Sequence, residues 1–353
     1  MSELGKIITE LQVNGISSMP KKGNRGRKGG AGPSDHRALT IEGKTVMVPV
    51  YNHVSQKSNY QLSEEPDGQF ILQNSEDSNI KELSTTKEPN FYSLKTKDGI
   101  PYKSIALLHS KDVLATTILQ KCIRFKHREQ SLENEQTIVR KTPDQIAEVA
   151  EAAVRLDGIK QLVMTTGTPN SSDRGARIMA EAAKAVKAKV DIPIQGQCEP
   201  PDNPIWFRKM KDSGVDSLGM HLEVVEEKIR KKILPGKSEI SLERYYKAFE
   251  ESVSVFGRGE VSTYLLAGLG DSKESLINCS KKLISIGVYP FIVPFVPIAG
   301  TPLEHHPSPS TDFMIDIYQS VSQLLNEGNI KSDEMSAGCA KCGACSALSL
   351  FES

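Results

Sequence analysis

From about residue 112 onward, short β-branched or apolar runs alternate with stretches whose apolar residues recur every three or four positions. The runs are ATTILQKC (115–122), KQLVMTTG (160–167), VDIPIQGQ (190–197), DSLGMHLE (216–223), VSTYLLAG (261–268) and PFIVPFVP (290–297). Each has the length and composition of a strand. Between the first two lies KTPDQIAEVAEAAVRLDG. There Thr142 is a natural N-cap, Pro143 suits the first helical position, Ile146, Val149, Ala150 and Ala153 form one stripe, and Gly158 closes the helix. SSDRGARIMAEAAKAVKA, SLERYYKAFEESVSVFG and SKESLINCSKKLISIG repeat the pattern. Six such units predict an α/β fold, a partial or complete (β/α) TIM-type barrel with its chemistry at the strands' C-terminal ends. A doubly wound sheet is the rival.

The first 110 residues read differently. They are polar, with LTIEGKTVMVPVY alternating as a strand does, and predict a small β-rich module. The basic stretch 20–37, PKKGNRGRKGGAGPSDHR, reads as a solvated loop. The expected organisation is therefore an N-terminal module over 1–110, a barrel over 111–328 and a cysteine-rich tail over 329–353.

Composition narrows the class. The 353 residues carry 44 Lys+Arg and 44 Asp+Glu, so net charge gives no argument for nucleic acid or membrane. MSELGKIITELQ has no apolar core of signal-peptide length, and no uncharged apolar run reaches the ~18 residues that span a bilayer. The expected location is cytoplasmic, where six cysteines are metal ligands, reactive thiols or core residues more often than disulfides.

The strand ends carry the candidate chemistry. The first ends at Cys122, which alone would be a small core residue. The second ends in TTGTPN (165–170), where Gly167 lets backbone approach a ligand and Thr166 and Thr168 offer hydroxyls. The third puts Glu199 ahead of Pro200 and Pro201, so that its carboxylate faces either solvent or a cation. In the fourth, period two sends Met220 and Leu222 to one face and His221 and Glu223 to the other. The fifth ends in AGLGD, with Gly268 and Gly270. The sixth runs into PFVPIAGTPLE (294–304), whose prolines, Pro297 among them, suit an edge or bulged strand and whose Gly300 suits a turn near a ligand. Finally AGCAKCGACSA (337–347) places Cys339, Cys342 and Cys345 at a spacing used by both iron–sulfur and zinc sites. A zinc there would want a fourth ligand such as His305 or His306.

Taken in order, these strand ends resemble the radical S-adenosylmethionine (SAM) enzymes, in the branch near biotin and lipoyl synthases. TTGTP resembles a variant of the motif that holds the SAM amino group, LLAGLGD the glycine motif that packs on adenine, and PFVPIAGTPL the sixth-strand segment of that branch. GGAGPSDHR and AGCAKCGACSA are similar to hallmarks of one biotin-synthase-related subgroup. The resemblance implies a [4Fe-4S] cluster with Cys122 as one ligand. It also implies a SAM site lined by Thr166, Gly167, Thr168, Glu199, His221, Gly268, Gly270, Pro297 and Gly300, and an auxiliary iron–sulfur cluster on Cys339, Cys342 and Cys345, with the tail folding over the barrel mouth. The implied chemistry is C–H activation by a 5′-deoxyadenosyl radical, with sulfur insertion of the lipoyl synthase kind as one reaction. The implied partners are a small-molecule or protein-bound acyl substrate and reduced ferredoxin or flavodoxin as electron donor.

One departure matters. The family's cluster loop carries three cysteines as C-x3-C-x2-C or a lengthened variant, whereas here no cysteine follows Cys122 until Cys198. One thiolate does not anchor a cluster that uses three. The alternative expectation is thus a degenerate barrel that keeps the tail cluster and serves as electron carrier, sulfur donor or partner subunit.

Overall fold

The computed structural model describes residues 2–18, 35–50, 52–65, 69–74, 79–85, 88–120, 122, 137–170 and 172–352. Most of the basic stretch, 20–34, and the segment 123–136 after Cys122 lie outside the described residues.

Helix α1 (Glu3–Asn14) starts on a Ser2 side-chain cap and stops at Gly15, whose φ of 72° suits a residue without Cβ. Strands β1 (His36–Ile41), β2 (Lys44–Pro49), β3 (Tyr60–Glu64), β4 (Phe70–Asn74) and β5 (Asn79–Thr85) form an antiparallel sheet of order β2-β1-β5-β4-β3. This is the β-rich N-terminal module.

A second sheet starts with β6 (Leu107–Ser110) and β7 (Val113–Thr117), an antiparallel hairpin. Five more strands follow: β8 (Gln161–Thr165), β9 (Ile194–Gln197), β10 (Ser217–Gly219), β11 (Val261–Ala267) and β12 (Val288–Pro294). They are parallel to β7 and to one another, in unbroken sequence order from β7 to β12. A doubly wound sheet needs a reversal of order, so the topology excludes that rival. The sheet is a half-barrel, and the proline-rich β12 lies at its edge, where a missing N–H costs least. β7 is buried at all five positions, as expected of a parallel strand covered on both faces.

The connecting helices are α2 (Pro143–Asp157), α3 (Ala176–Lys187), α4 (Ile205–Asp212), α5 (Glu227–Ile233), α6 (Pro235–Ser238), α7 (Leu242–Phe256), α8 (Lys273–Ser285) and α9 (Thr311–Glu327). The tail adds one turn, α10 (Cys339–Cys342). The N-terminus of α2 follows the sequence reading closely: Thr142 and Gln145 make a reciprocal capping box, Pro143 opens the helix and Gly158 ends it in the left-handed region. Ile146, Val149, Ala150 and Ala153 are fully buried.

Two strands are shorter than their apolar runs. β9 begins only after Pro193, which cannot donate to a ladder. β10 stops at Gly219 because side chains take over part of the pairing: Thr263 Oγ1 accepts from Leu222 N, and His221 Nδ1 accepts from Tyr264 N.

Candidate functional site

At the strands' C-terminal ends, Cys122 and the TTGTP turn come together. Thr168 N donates to Cys122 Sγ at 3.3 Å and Gly167 N to Leu119 O at 2.8 Å. Thr166 packs where any Cβ on Gly175 would have to go. Glu199 is buried, and Arg174 Nη1 lies 3.9 Å from it. The Arg174 Nη2 group donates to Asp202 at 2.9 Å, while among the described residues Nε and Nη1 are buried with no hydrogen-bond partner. A guanidinium with two donors free of hydrogen bonds suits a carboxylate ligand.

The other expected residues lie at the same end. Gly268 (φ 106°) abuts Pro309, and its carbonyl is 2.8 Å from His306 Nε2. Gly270 (φ 119°) faces Ile229, and the neighbouring Asp271 carboxylate accepts from Val225 N and Glu226 N, which ties the fifth strand's turn to the end of the fourth. Burial raises the Asp271 carboxyl above its ordinary value, and those two backbone donors pull against the shift. Pro297 O accepts from Asn52 Nδ2, and Gly300 N donates to Glu304 Oε2. These two residues are thus occupied with the chain itself.

The alternation read in GMHLE is present: Met220 and Leu222 are fully buried, while His221 and Glu223 line a cavity inside the barrel. The His221 ring stacks on Tyr264, centroids 4.2 Å apart. Its Nδ1 accepts a backbone N–H, so the proton sits on Nε2, which has no partner among the described residues. Burial first, and then the nearby Lys237 cation, lower its pKa from 6.5 to about 3. The sign follows: an unfolded imidazole binds a proton below 6.5 and the folded one does not. This stabilising contribution is therefore complete above pH 6.5 and is lost as pH falls toward 3. His221→Gln is expected to flatten the acid limb of stability against pH by up to ~1.4 kcal/mol per pH unit, measured by denaturant titration.

Glu223 sits in the left-handed region (φ 65°) and pairs with the buried Lys237 ammonium, which also donates to His221 O. Burial, the largest single influence, opposes the charged form of Lys237, but Glu223, Tyr245 and Glu199 together outweigh it and the pKa is raised.

The tail corrects the sequence reading. It was expected over the barrel mouth, yet it closes the opposite end. Gly338 N donates to Gln161 Oε1 (2.7 Å), Cys339 N to Gln195 Oε1 (3.2 Å), Ser217 Oγ to Ala337 O (2.8 Å) and Ser336 N to the Glu260 carboxylate (3.1 Å). Gln161 and Ser217 are the first residues of β8 and β10, and Glu260 immediately precedes β11. The cause is topological: α9 returns the chain from the top of β12 to the N-terminal side, so whatever follows it emerges at the floor. Gly338 (φ 118°) is required there, because a Cβ would run into the Gln195 side chain. His305 and His306 lie between β12 and α9, at the other end, and are excluded as fourth ligands to the tail cysteines.

The cavity measures about 390 Å3 and reaches from Cys339, Cys342 and Cys345 on the floor to Thr165 and Glu223 above, with largely apolar walls such as Val163, Leu266 and Val293. At the floor, Gln197 Nε2 donates to Cys339 Sγ at 3.1 Å, Cys342 Sγ lies 3.5 Å from Ser110 Oγ, and Cys345 Sγ lies 3.6 Å from His109 Nε2. Burial pushes the Cys339 thiol up to about 11, with hydrogen bonds from Tyr264 and Gln197 working against it, and burial also raises Cys342. Among the described residues no group of three or more His, Cys, Asp or Glu side chains is placed to hold a metal ion. Three thiols on one cavity wall, fed by N–H and O–H donors, fit the chemistry of an iron–sulfur cluster.

Cys122 has no such company. Cys198 follows β9, two strands away, with burial pushing its thiol up to about 12, and Cys279 faces Tyr246 from within α8. The described residues at that end supply one thiolate, short of the three the family's cluster uses. The sequence reading missed Gln161, Gln195, Gln197, Arg174, His109 and Tyr264. Its available signal was a glutamine inside an otherwise apolar strand.

Residues 122–282 match the family model of the radical SAM superfamily. Over 151 residues the chain is 31% identical to the bacteriochlorophyllide c C-7(1)-hydroxylase of Chlorobaculum limnaeum, covering 42% of this chain and 37% of that protein. Over 104 residues it is 32% identical to the uncharacterized protein MJ0785 of Methanocaldococcus jannaschii, covering 29% of this chain and 26% of that one. The chain thus spans well under half the length of these relatives. A solved structure of methylornithine synthase aligns over 60% of each chain at 20% identity, with a TM-score of 0.46. Among the described residues no helix is long and apolar enough to cross a membrane.

Proposed function

We propose that the chain is a radical SAM enzyme whose tail thiols hold an auxiliary iron–sulfur cluster on the barrel floor, and whose substrate lies in the apolar cavity between that floor and the SAM end. The observation that carries this reading is the single cavity lined both by the three tail cysteines and by the upper strand ends. At the SAM end, Cys122 supplies one of the three thiolates that a radical SAM cluster uses; were a [4Fe-4S] cluster and SAM held there, they would supply hydrogen-atom abstraction from a C–H bond. Arg174, with two unused donors beside Glu199, takes the SAM carboxylate, and the TTGTP turn with the 268–271 turn flanks the rest. His221 presents a neutral N–H to the cavity, and the walls of Val163, Leu266 and Val293 exclude water from a reactive carbon.

An apolar slot above a sulfur-rich floor suits an aliphatic acyl chain, small or protein-bound, and sulfur insertion of the lipoyl synthase type as the reaction. A reduced ferredoxin or flavodoxin supplies the electron. The non-enzymatic alternative is not favoured, since the named relative is a hydroxylase.

The test is anaerobic incubation with SAM and a strong reductant, reading 5′-deoxyadenosine. The wild-type chain is expected to form it, and Cys122→Ala to lower the rate at least ~100-fold, as expected when an essential cofactor ligand is lost. No 5′-deoxyadenosine from the wild type, or an unchanged rate in the variant, contradicts the reading. With one thiolate at that end, its iron is also expected to leave to a chelator faster than the floor's iron.

A further inference from the structure

A half-barrel encloses nothing by itself, because its sheet runs from β6 to β12 without closing on itself. Residues of the N-terminal module complete the wall. Gln12 of α1, His36 of β1 and Met47 of β2 line the same cavity as the barrel strands and the tail cysteines. The module is tied to both neighbours. Ala344 O in the tail accepts from Met47 N at 2.7 Å and from Gln12 Nε2 at 3.2 Å, while Asn52 Nδ2 donates to Pro297 O beyond β12 at 3.1 Å.

Gln12 is out of place as a core residue. It is 2% exposed and lies between Leu11 and Val13, one turn after Ile8, all buried apolar residues of α1. With Nε2 committed to Ala344 O, the amide is held in one orientation, and among the described residues Oε1 is buried with no hydrogen-bond partner. A leucine there would leave no acceptor unmade, so an amide in this stripe marks a site more than packing. Among the described residues, His221 is the other cavity-lining side chain with a buried atom lacking a partner, and that atom, Nε2, is a donor. A largely apolar chamber with one fixed acceptor and one fixed donor recognises a mostly apolar molecule that carries the complementary groups.

On the reading that the substrate lies in this cavity, we propose that the N-terminal module is its selecting wall. Gln12 Oε1 accepts a hydrogen bond from a hydroxyl or amide N–H of the substrate, and His221 Nε2 donates to an oxygen of it. The substrate class is an apolar chain or ring that bears an O–H or N–H. An analogue without that donor is rejected because it leaves the Gln12 acceptor unpaired in a dry site.

The experiment titrates the full chain, labelled with 13C-methyl methionine, with two isomers of one formula, 1-heptanol and 1-methoxyhexane. Each carries an oxygen that His221 can meet, but only the alcohol donates. The Met47 methyl, identified by its loss in Met47→Leu, reports binding in the cavity. Both probes are expected to shift it, and Gln12→Met is expected to lower the preference for alcohol over ether about 10-fold, the size of one hydrogen bond. Comparing preferences between variants cancels the different hydration of the two probes. Gln12→Glu keeps an acceptor and gives up the amide nitrogen on Ala344 O, so it is expected to retain the alcohol preference. Equal preferences in wild type and Gln12→Met, or a preference that Gln12→Glu loses as well, overturn the assignment while leaving the cavity reading in place. No Met47 shift with either probe removes the cavity reading, and the assignment with it.

Discussion

Replacing Cys339, Cys342 and Cys345 together by alanine is expected to strip the barrel floor of about four irons and as many sulfides per chain and to end turnover of the substrate. The reason lies in the surroundings of the thiols. Burial pushes Cys339 up to about 11 and also raises Cys342, so these two thiols keep their protons at neutral pH unless a metal displaces them. Once deprotonated, the tail thiols are three negative charges on an apolar wall, and only iron in contact with them offsets that cost. The apo proteins should differ little in stability, since a free buried Cys behaves as a small apolar residue close to Ala. The holo proteins should differ strongly, because cluster binding free energy becomes folding free energy for the tail. Iron and sulfide analysis with thermal unfolding of both forms checks this. Equal iron in wild type and triple variant sinks it.

The second large effect is expected at Lys237. Its ammonium is the partner of Glu223, and both side chains are largely withdrawn from solvent, 18% and 22% exposed. Removing one member of such a pair leaves the other charged and uncompensated, typically a loss of 3–5 kcal/mol. Because Glu223 keeps some solvent contact, Lys237→Met is expected at the lower limit, about 3 kcal/mol by denaturant titration. The double variant Lys237→Met, Glu223→Gln should recover most of this, and acidification, which neutralises an unpaired carboxylate, should shrink the loss. A single variant as stable as wild type at pH 7 would mean that the pair does not hold the left-handed backbone at Glu223. The same pair positions the carboxylate at the cavity wall, so cavity binding should weaken in the single variant and not only stability.

What could be read in the sequence follows from how local the determining physics is. The six βα units were visible because strand alternation, caps such as Thr142 and stops such as Gly158 act within a few residues. His221 and Glu223 could be assigned to one face by the period of two, although the side-chain hydrogen bonds that end β10 at Gly219 could not be foreseen. The floor was not legible. Cys339 N meets Gln195 Oε1 across 144 positions of sequence, and nothing local says which end of the barrel a tail will close. Its direction follows from counting: six helical returns, one after each parallel strand, bring the chain back to the N-terminal side, and the last 25 residues start from there. Arg174 was hidden inside a run read as helix, because the helix begins only at Ala176, after Gly175 has made room for Thr166. His109 was hidden by its place in the N-terminal stretch, whereas β6 pairs with the barrel sheet. Zinc with His305 or His306 was plausible in one dimension and is excluded by the full length of a barrel strand in three.

The claim on which the rest turns is that iron sits on the floor of the half-barrel, against the tail and away from Cys122. Anomalous diffraction at the iron absorption edge, from crystals of the reconstituted wild-type chain grown without oxygen, tests it directly. The account predicts a multi-iron peak enclosed by Cys339, Cys342 and Cys345, below Tyr264 and beside His109. A map with iron at Cys122 alone, or with none inside the barrel, contradicts it.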